Sequence, residues 1–431
     1  MAPSESVGIV LLGLGVVGSG VARALTERAD TYEGRVGAKL ELRKALVRDL
    51  SRERAFAPDG ALITSDPAEA LGTDCDIVVE VMGGEEPARE YILDSLSKGR
   101  WVVTANKELM AKYGPELLAK ATAGGADILF EASVGGGIPI VSPLKRDLSA
   151  NEITSLRAII NGTTNYILTQ MSREGTPFDE ALRQAQDLGY AEADPTSDIE
   201  GHDAAYKLAI LASLAFHGHV RLSDIHREGI TQLTPRDFRY AAELGYAIKL
   251  LAIGRRDADG IGVRVHPALV PQEELLAKVD GVLNAVQVEG DLVGRVLFQG
   301  AGAGSQPTTS AIMADVLEAA RSIVLGSRPS PWRYTADIAM KPISELTTRY
   351  YIRVEVTDRP GVLAGIARAF GDNNVSIASV IQKETDEAAQ TAELVIVTHA
   401  AQEAALQQSI SQIKGLEGEV RNVGSVLRVE D

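Results

Sequence analysis

Residues 7–24 read VGIVLLGLGVVGSGVARA, and the fold turns on what this stretch is. It is apolar enough to suggest a secretion signal or a membrane span. Five glycines fall inside it, however (Gly8, Gly13, Gly15, Gly18 and Gly20), and the flank before it holds Glu5 and no Lys or Arg. A signal needs a basic flank and a spanning helix needs an unbroken apolar run, so both readings fail. What remains is a buried strand, a glycine turn and a helix, which is the context that the dinucleotide fingerprint G-x-G-x-x-G requires. Gly13 allows the tight turn, Gly15 lets the backbone approach a pyrophosphate, and Gly18 permits close packing of a helix whose N-terminus faces the phosphate charge. Val16 and Val17 complete that set of cofactor-binding candidates. A purely structural glycine turn is the competing reading.

Outward from this unit, short apolar runs at 9–12, 42–47, 77–81, 101–104 and 128–131 alternate with amphipathic segments, starting with a helix expected over 20–31. That alternation predicts a parallel sheet with helical crossovers. Cofactor choice is read after the second run, at Val47-Arg48-Asp49. Arg48 can pair with the 2′-phosphate of NADP, whereas Asp49 suits the ribose hydroxyls of NAD. Arg48 follows the apolar run directly, which favours NADP.

Beyond Pro139 the rhythm changes to helices mixed with strands of antiparallel character. A strand pair is expected at 285–289 and 295–298 around Gly290-Asp291. A helix over 307–324, with Ile312, Val316, Ala319 and Ile323 on one face, is expected to return to the first domain. A linker follows, and then β-α-β-β-α-β at 350–356, 361–370, 375–382, 392–398, 402–413 and 420–429, a ferredoxin-like order.

The chain has 431 residues, enough for about three domains. Its 59 acidic against 43 basic residues give a net charge of −16, which argues against general affinity for nucleic acid or anionic membranes. A single cysteine, Cys75, excludes an intrachain disulfide and fits a reducing compartment, so a cytoplasmic protein acting on a small molecule is expected. Cys75 precedes a buried strand, which disfavours thiol chemistry. His217 and His219, two apart on an expected helix, do not converge on one metal ion.

The densest chemistry lies in residues 185–207, AQDLGYAEADPTSDIEGHDAAYK. Five carboxylates fall between Glu192 and Asp203, and Asp203 and Lys207 are four apart on one helical face. This is either a solvated acidic loop with an ordinary ion pair or a lysine held in partly apolar surroundings as a general acid/base.

This run resembles the signature of homoserine dehydrogenase. The likeness extends through residues 104–107 (TANK), 131–139 (EASVGGGIP), 161–166 (NGTTNY) and 300–308 (GAGAGSQPT). The resemblance implies reversible NAD(P)H-dependent reduction of L-aspartate 4-semialdehyde to L-homoserine, within threonine and methionine biosynthesis. It implies Lys207 as catalytic acid/base and Lys107 as a second active-site lysine near nicotinamide. Glu192 would bind the substrate's amino group, Asp203 would contact substrate, Asp198 would orient the lysine, and Thr163 is a further substrate candidate. Cofactor contacts are implied at Gly189 and Gly304. A monovalent cation, sodium by the hardness of its oxygen ligands, would be held by the Glu131 carbonyl or carboxyl and by the carbonyls of Val134, Gly136 and Ile138.

The last module resembles an ACT domain through residues 358–363 (DRPGVL) and 373–375 (NNV). Gly361 and its helix N-terminus offer amides to a carboxylate, and Asn373 and Asn374 can meet an amino group. L-threonine is the expected effector; a module that only mediates oligomerisation is the alternative. The expected fold is α/β: a Rossmann-type nucleotide-binding domain (1–137 plus 303–326), an α+β catalytic and dimerisation domain with a mixed or antiparallel sheet (138–302), a linker (327–348) and a ferredoxin-like ACT domain (349–431). A homo-oligomer, dimer or tetramer, is expected. The competing function is an amino-acid sensor on a degenerate dehydrogenase scaffold.

Overall fold

The apolar run ahead of the fingerprint forms the strand Ser6–Leu12, buried at every position after Ser6, as a strand covered on both faces must be. In this computed structural model, which describes residues 6–327, 332–334, 338–386 and 388–430, the strand lies inside a six-stranded parallel sheet. The order runs Ile63–Thr64, Lys39–Leu46, Ser6–Leu12, Ile77–Glu80, Trp101–Thr104, Ile128–Leu129. This is the doubly wound order, and it reverses beside Ser6–Leu12, where such sheets bind nucleotides. The strand Ile63–Thr64 has only two residues, too few to register as an apolar run.

The chain divides into two compact units. The first comprises Met1–Ile153, Tyr206–Leu222 and Asn284–Ile338. Its opening helix is Val16–Glu27, followed by a second, Ala29–Val36. The single helix expected over 20–31 is thus corrected: the first begins directly on the glycine turn, with Gly15 as N-cap, and ends at Arg28. The helix Ser305–Val324 returns to this one. A Cβ on Gly20 would sit 2.3 Å from Thr309 Oγ1, so glycine there leaves room for the Thr309 side chain as the two helices approach. The hairpin strands Leu283–Gly290 and Gly294–Ala301 lead into that returning helix.

The second unit comprises Thr154–Ala205, Ser223–Leu283 and Ala339–Asp431. Its sheet runs Ile153–Ile159, Tyr246–Asp257, Gly260–Pro271, Val420–Val429, Thr347–Thr357, Thr391–Thr398, Ile377–Asp386. Along this path all neighbours are antiparallel except one pair: Gly260–Pro271 joins Val420–Val429 in parallel, Ala268 opposite Arg428 and Leu269 opposite Val429; off the path, the short strand His226–Arg227 also pairs with Gly260–Pro271 in parallel. The last four strands, with the helices Val362–Asp372 and Glu403–Lys414, form the ferredoxin-like module, around a core including Tyr350, Ile352, Phe370, Ile396 and Leu406. The module's sheet therefore continues the sheet of the preceding segment. Of the stretch read as a linker, residues 328–331 and 335–337 lie outside the described residues. Further on, Ile261 N–H donates to Ala339 O at 2.8 Å and Lys341 N–H to Ile261 O at 2.9 Å, so that end of the stretch lies along the strand edge.

One expectation is overturned near the end of the helix His202–Ala215. His217 and His219 lie beyond it, His217 in a left-handed turn (φ 57°) stacked on Trp332 with ring centres 5.0 Å apart. The helix ends where Gly218 follows, and aromatic stacking takes the imidazole.

Candidate active site

The fingerprint turn opens on a cleft of about 540 Å³, lined by Gly13, Leu14 and Gly15 from the turn and by Arg48, Arg52 and Arg54 from the loop after the second strand. Gly13 has φ 103°, and a Cβ there would meet Val81 O at 2.8 Å; a Cβ on Gly18 would meet Gly13 O at 2.1 Å. Gly15 differs, because nothing lies within 4 Å of its Cβ position. Protein packing therefore demands two of the three glycines and leaves the third facing open space, where a phosphate can reach the helix amides. Val16 is 69% exposed, an uncovered apolar residue beside that space, and Val17 is half-buried. Gly304 (φ 117°) caps the returning helix, whose Ser305 Oγ donates to Val16 O at 3.2 Å and so brings that loop to the turn. Gly189, left-handed at φ 74°, belongs to the second unit.

Asp49 is turned back on its own loop. Its Oδ1 accepts from Ser51 N–H at 2.8 Å and Ser51 Oγ at 2.6 Å, bonds that lower its pKa. Arg48 is exposed and lines the cleft. Arg52 and Arg54 were not singled out in the sequence, because both lie in an irregular loop whose path no spacing shows.

The fourth strand ends at a fully buried carboxylate, Glu80. It accepts from Thr104 Oγ1 at 2.6 Å and from Met82 and Gly83 N–H at 2.8 and 3.3 Å. Burial raises its pKa, and those donors partly offset the rise. The carboxylate pins the loop Met82-Gly83 that forms a wall of the cleft; a lone acid closing an apolar strand was the available signal. Asn106 caps the helix Lys107–Gly124 by accepting from Leu109 N–H at 3.2 Å, which puts Lys107 in its first turn. Within the same unit this helix meets the one bearing Lys207. Lys112, paired with Glu85, has its ammonium 5.4 Å from the centre of the Tyr206 ring.

In the second unit the structure draws two signature carboxylates together. Asn161 Nδ2 donates to Asp198 Oδ1 at 2.7 Å and to Asp203 Oδ2 at 2.9 Å, while Asn161 Oδ1 caps the helix Gly162–Glu174 through Thr164 N–H at 2.8 Å. One amide thus anchors both acids to a helix start. Thr163 Oγ1 donates to Tyr190 O at 2.7 Å, which ties that helix to the signature. Glu192 is exposed, with its backbone carbonyl held by Gln186 Nε2 at 3.1 Å. Asn161 was quoted in the sequence only as part of a motif, since its partners lie 37 and 42 residues away.

The glycine loop of the first unit follows Glu131, whose carboxylate accepts from Ile140, Val141 and Ser142 N–H at 2.6, 2.8 and 2.7 Å. The carboxyl is thereby committed to the helix Val141–Lys145, leaving the Glu131 carbonyl as the atom to consider for a cation. Gly136 lies flush against Gly302, where a Cβ would meet Gly302 O at 2.3 Å. In the C-terminal module Gly361 (φ 98°) is the N-cap of Val362–Asp372, and Asn374 has φ 57°. Asn373 Nδ2 donates to Ala369 O at 2.7 Å and to Gln412 Oε1 at 3.0 Å, so its Oδ1 is the atom that can meet an amino group. Burial pushes the Cys75 thiol up to about 11, which leaves it protonated and unreactive.

Residues 13–131 match the family model for the homoserine dehydrogenase NAD binding domain, 139–317 that for homoserine dehydrogenase, and 350–418 that for the ACT domain. A homoserine dehydrogenase of Mycobacterium leprae is 47% identical over 99% of this chain and 98% of its own. The chain belongs to the homoserine dehydrogenase family. A homoserine dehydrogenase crystal structure from Thiobacillus denitrificans superposes with a TM-score of 0.94 at 43% identity, covering all of both chains. A hyperthermophilic archaeal homoserine dehydrogenase in complex with NADPH shares 28% identity and a TM-score of 0.63, over 76% of this chain and 99% of that one. As a member of the homoserine dehydrogenase family the chain is an NAD(P)-dependent oxidoreductase with a nicotinamide cofactor, an enzyme of amino-acid biosynthesis carrying an ACT domain. The degenerate sensor is not favoured. Among the described residues no helix is long and apolar enough to cross a membrane.

Proposed function

We propose that this enzyme reversibly reduces L-aspartate 4-semialdehyde to L-homoserine with NADPH in the cytoplasm, as a homo-oligomer subject to L-threonine. The observation that carries the reading is the likeness to homoserine dehydrogenases along 99% of the chain. The fingerprint turn and the arginines of the cleft would hold a nicotinamide cofactor, which would supply the hydride that the aldehyde carbon takes up. Lys207 gives a proton to the carbonyl oxygen and, as an ammonium, stabilises the alkoxide that develops there. Lys107, in the first turn of its helix, would be a second cation beside nicotinamide and substrate. Glu192 binds the substrate's ammonium, Asp203 and Asp198 contact substrate, Asp198 also orienting the lysine, and Thr163, whose Oγ1 donates to Tyr190 O, is a further substrate contact. Cofactor contacts come from Gly13, Gly15, Val16, Val17, Gly18, Gly189 and Gly304.

NADP over NAD is supported by the three arginines lining the cleft and by the engagement of Asp49 with Ser51. The archaeal relative solved with NADPH agrees with that preference. Sodium suits the loop 131–138: Val134, Gly136 and Ile138 are buried, and among the described residues no hydrogen bond to their carbonyls is found. Those three carbonyls and that of Glu131 would hold it, in a structural role. Gly361, Asn373 and Asn374 are the proposed threonine contacts.

The test supplies L-homoserine with NADP⁺ and then NAD⁺, following reduced-nicotinamide absorbance with and without L-threonine. Reduction that is faster with NADP⁺ and slowed by threonine is expected. No reduction with either cofactor, by protein that binds nucleotide, contradicts the reading.

A further inference from the structure

The segment 196–201 carries Asp198, and its neighbours in the second unit show what holds it. Arg227 Nη1 donates to Glu200 O at 2.6 Å, and Ile230 N–H donates to Ile199 O at 2.9 Å. Two glycines make the approach possible: a Cβ on Gly229 would meet Ile199 O at 2.6 Å, and Gly201 (φ 77°) lies against Val265 and Arg227. The chain 226–230 is therefore a strap across the segment. It is itself fixed at one edge, where His226–Arg227 pairs in parallel with Arg264 and Val265, and Glu228 N–H donates to Val265 O at 2.8 Å.

The other fixing point is a buried arginine of the C-terminal module. Arg428 is 3% exposed, and its Nη1 and Nη2 donate to Glu228 Oε2 and Oε1 at 2.9 and 2.8 Å, a two-pronged pair. On its other side, Nε and Nη2 donate to Glu403 Oε2 and Oε1, both at 2.8 Å. Glu228 also meets His226 Nε2 at 2.8 Å. One arginine thus joins a carboxylate of the module's own helix to a carboxylate of the strap.

We propose that the Arg428–Glu228 pair is the positioning contact through which the ACT module holds the segment 196–201 in its substrate-binding shape. The chain of contact is continuous: Arg428, Glu228, the strap 227–230, Ile199 and Glu200, and then Asp198 on the Asn161 amide. Substrate affinity therefore depends on a residue of the regulatory module, and a module that shifts moves the segment with it. The effect on substrate rests on the function proposed above; the hold on the segment does not.

The experiment compares Glu228→Gln with Glu403→Gln, which weakens the same arginine's grip from the module side only, and with Arg227→Met, which lies outside the buried cluster. Backbone hydrogen exchange of 196–201, KM for L-homoserine, kcat, cofactor Kd and Tm are measured on the full chain. Glu228→Gln and Arg227→Met are expected to speed exchange in 196–201 and to raise KM roughly tenfold, within the usual span of coupling between sites, with cofactor Kd unchanged. Glu403→Gln is expected to lower Tm and leave exchange and KM near wild type. Unchanged exchange and KM in both strap variants would overturn the proposal, as would equal effects in all three. Faster exchange with unchanged KM would uphold the contact and count against the assignment of the segment to substrate.

Discussion

At residue scale, Arg48 and Asp49 show how structure separates neighbours that a sequence leaves in opposition. Both sit where cofactor choice is made, yet Asp49 spends its carboxylate on Ser51 while Arg48 lines the cleft. A hydrogen bond to a charged group contributes about 1.5–3 kcal/mol, roughly ten- to a hundredfold in affinity. Arg48→Ala should therefore weaken NADPH by about that factor and leave NADH nearly unchanged, as a fluorescence titration of each would show. Equal losses for both cofactors would mean that Arg48 does not meet the 2′-phosphate. Glu80 and Asn161 make the complementary point. Each was visible as a residue type at a strand end or helix start, but part of its work is done on partners far along the chain, Thr104 for Glu80 and Asp198 and Asp203 for Asn161, which no local spacing encodes.

At the scale of elements, the strand Gly260–Pro271 carries a histidine that burial keeps neutral. His266 is 0% exposed; its Nδ1 lies 3.0 Å from Pro267 O and Arg264 Nε donates to its Nε2 at 3.2 Å. Burial, and then the charges of Arg428 and Arg264, lower its pKa well below 6.5, while the bond to Pro267 O and the charge of Glu228 pull the other way. The unfolded chain binds the proton first, so stability rises with pH through this window. The contribution is complete above about 6.5, the unfolded value, and is lost as pH falls from there toward the folded pKa. Glu228, which burial would raise but which His226 and Arg428 hold below 4.5, adds its own loss only at lower pH. Melting temperature should hold steady from pH 8 to about 6.5 and fall below it, with a shallower early fall in His266→Gln. An identical pH profile in that variant would remove His266 from the account. The strand's edges were harder to read than its buried pattern. Its parallel join to Val420–Val429 pairs segments some 160 residues apart in the chain, and nothing in either apolar run selects the other.

At the scale of the molecule, the legible parts were those with local rules. Glycine spacing after an apolar run located the strand, turn and helix at Gly13–Gly18, and alternation located the six elements of the C-terminal module with ends shifted by a few residues. The run 185–207 located the signature but not the amide that gathers Asp198 and Asp203. Nor did it reveal that the last module's sheet continues the one before it, because that follows from which strand edges remain open once the rest has folded. The proposed chemistry of the whole molecule turns on proton transfer by Lys207. The most direct measurement is turnover of L-homoserine by Lys207→Ala beside wild type, with NADP⁺ affinity measured on both. Unchanged cofactor affinity is expected, with kcat lower by about 10²–10⁴-fold, the usual contribution of general acid/base catalysis. Near wild-type kcat in that variant would contradict it.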